Sequence, residues 1–471
     1  MATAATGASS HRVHIAPDNS GLWQVPQTEA AAKKASELLQ EDMEKHHVFF
    51  NNDGFHNHIP HHILALYGTG ADASALQKAY DENVSYQRPA LPVHAGDRVV
   101  ADFKDWDHAQ KYLGRAQYYP DFLRFFQTEM EQPGSGWEAV LAKYLFRPRD
   151  NNSSSPAAAD DMLVRLYSGF LHPLIQLMYG MEWQQPAIVA EALAQTAVHG
   201  NDIKEFLLES EKRAYTEAEK RPMPPSAALL DAVRADKDLA AAARMEDGNK
   251  IRDGVLARAK EAMIRIAARV RVAPDELDER TAEMFNACVY MGAAAAVHPP
   301  KHPKFDFFLM HHINASPIFA TINAQPWIAA TTKARVLEWK IRMDLIQYAA
   351  RGVPDLNLDK IATYRPKTTG APAGTPIETI IARLHQQPDD GHAIKLGRAA
   401  RVCRDLCKPF EDAWATSAST NTNTVVAGAE QWAAVANLIV DSVEAPGPRW
   451  VRSCGFEEAW KDVPDAADAK L

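Results

Sequence analysis

The chain has 471 residues, 46% apolar and 24% charged, with a net charge of −9 and a pI of about 6.1. No long basic run is present to neutralise phosphates, so nucleic-acid binding is not expected. Four cysteines in this length are not a disulfide framework, which leaves a reducing, cytoplasmic setting as the expectation.

Residues 1–25 read as a flexible N-terminus, with no apolar run of signal-peptide length in MATAATGASSHRVH. TEAAAKKASELLQEDMEKH (28–46) is rich in helix formers, with Thr28 as its N-cap. Next comes HNHIPHH, which packs His56, His58, His61 and His62 into seven positions. It runs into PHHILALYGTGA (60–71), where Pro60 suits a first helical turn and Gly68 and Gly70 suit its end. A helix starting near Ile59 stacks His58 and His62, four apart, on one face. That is the geometry of a helical metal site, and imidazole suits iron, zinc and copper.

DWDHAQKYLGRAQYYPDFLRFFQTEME (105–131) reads as two helices broken at Pro120. Further helical stretches are expected at 160–181, 186–199, 203–219, 225–244, 249–270, 276–297, 327–351, 376–386, 393–415 and 427–443. Loops are expected at RDNNSSSPAAA (149–159), TYRPKTTGAPAGTP (363–376) and TSASTNTNT (416–424). Strand-like alternation is almost absent. The fold class is mainly α: a single large multi-helical domain over 26–460. The run ACVYMGAAAAV (287–297) is too short to span a bilayer, so no membrane partner is expected.

Several other histidines border apolar helices: His172 in YSGFLHPLIQLMYG, His298 and His302 in AAVHPPKHPKFD, and His311 and His312 in FDFFLMHHINASPIF. Any one alone reads as a core histidine bonded to a backbone carbonyl. Together, histidines from three segments in apolar contexts can meet on one ion. Imidazoles bring no negative charge, so an anionic group is needed nearby. Glu182, Asp306, Glu338 and Asp344 are candidates. So is Lys340, because Val336, Leu337, Met343 and Ile346 surround it on its helix and burial disfavours its ammonium form. A neutral amine can take up carbon dioxide to form a carbamate, an oxygen ligand. GTGADA (68–73) follows a helix and is not GxGxxG. There is no P-loop and no GxSxG elbow. No tightly bound flavin is expected.

Four motifs in order, FHNHIPHHILALYGTGA, GFLHPLIQLMYGME, HPKFDFFLMHHINASPIF and VLEWKIRMDLIQYAARG, resemble the questin oxidase-like family over about residues 30–450. The resemblance implies an enzyme of fungal aromatic polyketide pathways that opens the quinone ring of an anthraquinone to a benzophenone-type product. Members have been described as Baeyer–Villiger-type, NADPH-dependent oxidases. Carried to this chain, the resemblance implies a mononuclear non-haem iron(II) centre and dioxygen as co-substrate. Its ligands would be His58, His62, His172, His311 and carbamylated Lys340. His61 stands as an alternative to His62, and His312 to His311; Gln176 stands where another histidine is expected. Tyr67, Tyr179, Phe308 and Trp339 are the expected liners of a flat substrate pocket. Two further readings of the same residues are a zinc hydrolase with a carbamylated lysine and a non-enzymatic helical scaffold. The sequence is silent on oligomeric state.

Overall fold

The computed structural model describes residues 7–147, 156–217, 222–366, 374–416 and 424–466. Most of the three expected loops, at 149–155, 367–373 and 417–423, lies outside the described residues. The protein is mainly α-helical. Among the described residues no strand forms, only isolated bridges such as Phe49 with His56. No described helix is long and apolar enough to cross a membrane, and all four cysteines are free and buried.

By their contacts the residues fall into two compact units. The first comprises 1–202, 320–332 and 385–395; the second comprises 203–319, 333–384 and 396–471. No linker composition marks this division in the sequence.

In the first unit, α1 (Glu29–Lys45) starts where Thr28 accepts a hydrogen bond from the Ala31 amide, as its sequence predicts. Helix α2 (Ile59–Tyr67) has Pro60 in its first turn, where a missing N–H costs nothing, and ends at Gly68. All nine of its residues are buried, histidines included. Residues of the expected flexible N-terminus are hydrogen-bonded into this unit. Val13 N–H donates to Gln40, and Gln185 both accepts from His14 N–H and donates to its carbonyl.

The expected helix over 160–181 is instead two, Pro156–Leu166 and α3 (His172–Glu182). Between them Gly169, Phe170 and Leu171 all have positive φ, at 55°, 53° and 66°. A left-handed run cannot continue a right-handed helix, and Pro173 then suits a new first turn. Helix α4 (Pro186–Val198) packs closely on α3 at Gly180, where a Cβ would stand 2.9 Å from the Val189 amide nitrogen.

The second unit contains α5 (Leu277–Ala295) and α6 (Phe307–Ala315), and most of α7 (Ala330–Ala350). Helix α8 (His392–Cys407) begins with four residues of the first unit.

Candidate metal centre

Helix α2 delivers His58 at its N-cap, and α3 delivers His172 as its first residue. The segment Asp389–Lys395 returns to the same unit and adds His392. One ring nitrogen from each of His58, His172 and His392 lies within 4.8 Å of the others, and all three residues are buried.

The hydrogen bonds on the far side of these rings set their tautomers. His172 Nδ1 stands 2.6 Å from the Gly169 carbonyl oxygen, which can only accept. The proton is therefore on Nδ1, and Nε2 carries a lone pair. His58 Nδ1 lies 2.7 Å from Asp390 Oδ2, with the same consequence. Burial, ahead of the nearby Lys395 charge, lowers the His58 pKa to about 4 and so opposes a second proton. Yet His58 Nε2 and His172 Nε2 are only 2.8 Å apart. Two lone pairs facing each other at that distance repel. A cation shared between them turns the repulsion into ligation, so this donor set fits a metal ion.

Asp390 also accepts a hydrogen bond from His392 Nδ1–H on its other oxygen. Burial pushes its carboxyl pKa up, but His392 and His58 outweigh that and hold it well below the usual range. One carboxylate thus orients two of the three imidazoles, the outer-sphere arrangement that tunes metal-binding histidines. Lys395 is buried in this unit too. Desolvation, partly offset by Asp390 and Asp389, brings its pKa down to about 8.

The other histidines of the motif surround this centre. The ring of His56 stacks on His172 at 3.9 Å and 5°, and its Nε2 is 2.7 Å from His199 Nε2. His61 Nε2 donates to Gln176 Oε1 at 2.5 Å, and Gln176 donates onward to Glu191. Burial, then the charge of Asp42, pushes the Glu191 pKa well up. His62 packs its Cβ against the backbone of Gly391 and is not one of the converging three.

Of the remaining expected site residues, Tyr67, Tyr179 and Glu182 belong to the first unit, and Phe308, His311, His312, Trp339 and Lys340 to the second. His311 Nδ1 donates to the Phe307 carbonyl at 2.5 Å. His312 Nδ1 donates to Asp344 Oδ1 at 2.6 Å. Lys340 Nζ is 2.5 Å from the same oxygen and 3.3 Å from Cys288 Sγ. The apolar neighbours of Lys340 were expected to keep its amine neutral. Burial does act that way, but Asp344 and then Cys288 outweigh it and raise the pKa, so the ammonium form is favoured. The void beside Cys288 and Asp344 is about 10 Å³, room for no more than a water. The other candidate carboxylates are engaged by hydrogen bonds. Glu182 accepts from the Leu22 amide, Asp306 from the Phe308, Leu309, Ser453 and Cys454 amides, and Glu338 from Val272 and Tyr215.

Among the expected aromatic liners, Tyr67, Tyr179 and Trp339 are fully buried. Tyr179 stacks on His61, with centroids 5.6 Å apart, and Arg351 covers the ring of Phe308 at 4.1 Å.

His392, Asp390 and Lys395 were missed in the sequence. Their only local signal is DDGHAIK, a histidine two residues after an aspartate at the start of an apolar helix.

The sequence pattern of the questin oxidase-like family matches residues 55–400, a stretch that holds all three converging histidines. The chain belongs to the questin oxidase-like family. Curated relatives of similar length agree. The chain is 36% identical to the oxidoreductase AflY of Aspergillus parasiticus, over 96% of this chain and 92% of that protein. It is 35% identical to a questin oxidase of Aspergillus fumigatus, over 93% and 94%. It is 33% identical to the Baeyer–Villiger oxidase ptaJ of Pestalotiopsis fici, over 96% and 98%.

Proposed function

We propose that this protein is an oxidoreductase of secondary metabolism that cleaves a ring carbon–carbon bond of a hydroxylated anthraquinone and releases a benzophenone-type product. Dioxygen is the oxidant in this reading, and a single non-haem iron(II) is held by His58, His172 and His392. Support for the substrate class comes from the relatives named as questin oxidases and Baeyer–Villiger oxidases. The observation that carries the metal reading is the pair of Nε2 atoms 2.8 Å apart, each on a ring whose Nδ1 faces a hydrogen-bond acceptor. When bound, iron supplies the activation of dioxygen. The chain's own part is to hold the imidazoles in their Nδ1–H tautomers through Asp390 and the Gly169 carbonyl. It also has to shield the reacting substrate from water.

Three neutral imidazoles leave a dication uncompensated, and an unbalanced buried charge is costly. Asp390 contributes one negative charge from the second sphere. A lysine carbamate, expected at Lys340, is better supported at Lys395. That lysine is buried in the unit of the histidines, and desolvation lowers its pKa to about 8, which favours the reactive neutral amine more than in an ordinary lysine.

The test is metal analysis with turnover. One iron per chain is expected, lost in His392→Ala, with dioxygen uptake dependent on an added hydroxyanthraquinone. Activity should fall in buffer stripped of carbon dioxide, return with bicarbonate, and be absent in Lys395→Met. Two zinc ions per chain and no dioxygen uptake would favour the hydrolase reading. Metal-free protein with the helical signal intact would favour the scaffold.

A further inference from the structure

Among the described residues four aromatic side chains are exposed: Phe55 (53%), Tyr86 (43%), Phe170 (40%) and Tyr215 (38%). Scattered exposed aromatics are ordinary on a protein surface. Tyr215 belongs to the second unit, whereas the other three belong to the first, the unit of the histidine cluster, and each is linked to it through sequence or hydrogen bonds.

Phe55 immediately precedes His56, whose ring stacks on His172. The turn that presents it is built by Asn51, whose side-chain oxygen accepts from the Asp53 and Phe55 amides. Phe50 joins Phe55 to Tyr86, with ring centroids 5.9 Å from the first and 5.2 Å from the second. The Tyr86 hydroxyl donates to Asn83 Oδ1 at 2.5 Å, and the Asn83 amide donates to the carbonyl of Asp389. Tyr86 is thereby tied to the segment that carries Asp390 and His392. The Asp390 side chain is 30% exposed, so solvent reaches the otherwise buried cluster on this side.

Phe170 lies two residues before His172 and is held outward in a left-handed conformation, φ 53° and ψ 40°. That conformation is costly for a phenylalanine and is met mainly where the surroundings impose it for a purpose. Its neighbour Gly169 supplies the carbonyl that fixes His172, and its Cα abuts the His199 ring so closely that a Cβ would stand 2.4 Å away. One turn therefore both orients a histidine of the cluster and exposes an aromatic ring two residues before it.

We propose that Phe55, Tyr86 and Phe170 form an aromatic rim on which a flat, fused-ring polyphenol stacks as it is presented to the His58–His172–His392 cluster. The inference rests on the anthraquinone reading above and names the surface that would select such a substrate. A planar, polarisable tricycle gains from offset or edge contacts with exposed rings. The buried Tyr67, Tyr179 and Trp339 have no open face to offer it.

The experiment uses the metal-loaded protein and 1,8-dihydroxyanthraquinone as probe. Binding is followed without oxygen by fluorescence quenching, and turnover is followed separately in air. Phe55→Ala, Phe170→Ala and Tyr86→Ala should each weaken binding roughly three- to tenfold. KM should rise with kcat within twofold, and metal content should be unchanged. Phe55→Tyr and Tyr86→Phe should restore binding, and Tyr215→Ala should leave it as in the parent protein. Parent-like binding in all three alanine variants, with the parent protein binding and oxidising the probe, would overturn the rim and leave the proposed function standing. Rim-sensitive binding without oxidation would support the rim and count against the proposed reaction. No binding to the parent protein would overturn both.

Discussion

Replacing Asp390 by Asn removes one charge and almost no volume, yet it should weaken the proposed metal site sharply. The carboxylate accepts two N–H groups, from His58 Nδ1 at 2.7 Å and from His392 Nδ1. An asparagine offers one accepting oxygen and one donating NH2 group. It can hold only one of the two histidines in the Nδ1–H tautomer. The other must turn a bare Nδ1 to the amide, which moves its proton to Nε2 and withdraws it as a ligand. Loss of such an outer-sphere partner typically weakens a metal site 10- to 100-fold, about 1.4 to 2.7 kcal/mol. The assay is competition for iron(II) against a fluorescent chelator under anaerobic conditions, with circular dichroism to confirm the helices. Asp389→Asn is the control. Asp389 accepts from the Gly391 and Ala393 amides at the start of α8, and asparagine caps about as well as aspartate, so this variant should lose little stability and keep affinity near that of the parent. Affinity within twofold of the parent in Asp390→Asn would refute the tautomer argument.

Gly391→Ala should be destabilised by roughly 1–3 kcal/mol, because φ is 89° and the new Cβ would lie 2.7 Å from His62 Cβ. Denaturant unfolding with an unchanged midpoint would contradict this. Lys340→Met should cost on the order of 3–5 kcal/mol by stranding Asp344 in the core, and Lys340→Met/Asp344→Leu should recover much of it. A lost metal with unchanged stability would instead return Lys340 to the ligand role. The histidine His47 is buried neutral, its pKa lowered to about 4 by desolvation and then by Arg88. The unfolded chain, titrating near 6.5, binds the extra proton first, so stability is full above pH 6.5 and falls as pH drops toward 4. His47→Phe should flatten that slope by at most about 1.4 kcal/mol per pH unit in urea titrations, and an unchanged slope would show that His47 is not buried neutral.

Much of the helical frame is legible in the letters alone. Thr28, Pro60 and Gly68 mark helix ends through capping and backbone rules that act over a few residues, and those ends stand where the rules put them. His58 and His172 were also legible, because a histidine at the edge of an apolar helix is conspicuous within its own segment. Their partners were not. Asp390 meets His58 across 332 residues of chain, and no local pattern encodes such a meeting. The pairing of His58 with His62 was sound helical geometry, yet which rings converge depends on the segments packed around them, and here Gly391 occupies the His62 side. Lys340 and Lys395 look alike in sequence, each on an apolar helix. Only the packed structure separates them: Asp344 clamps one as an ammonium, while the other is left with a lowered pKa in the unit of the histidines. The left-handed turn at 169–171 escaped for the same reason. Phenylalanine and leucine have no local preference for it, and contacts distant in sequence must hold them there.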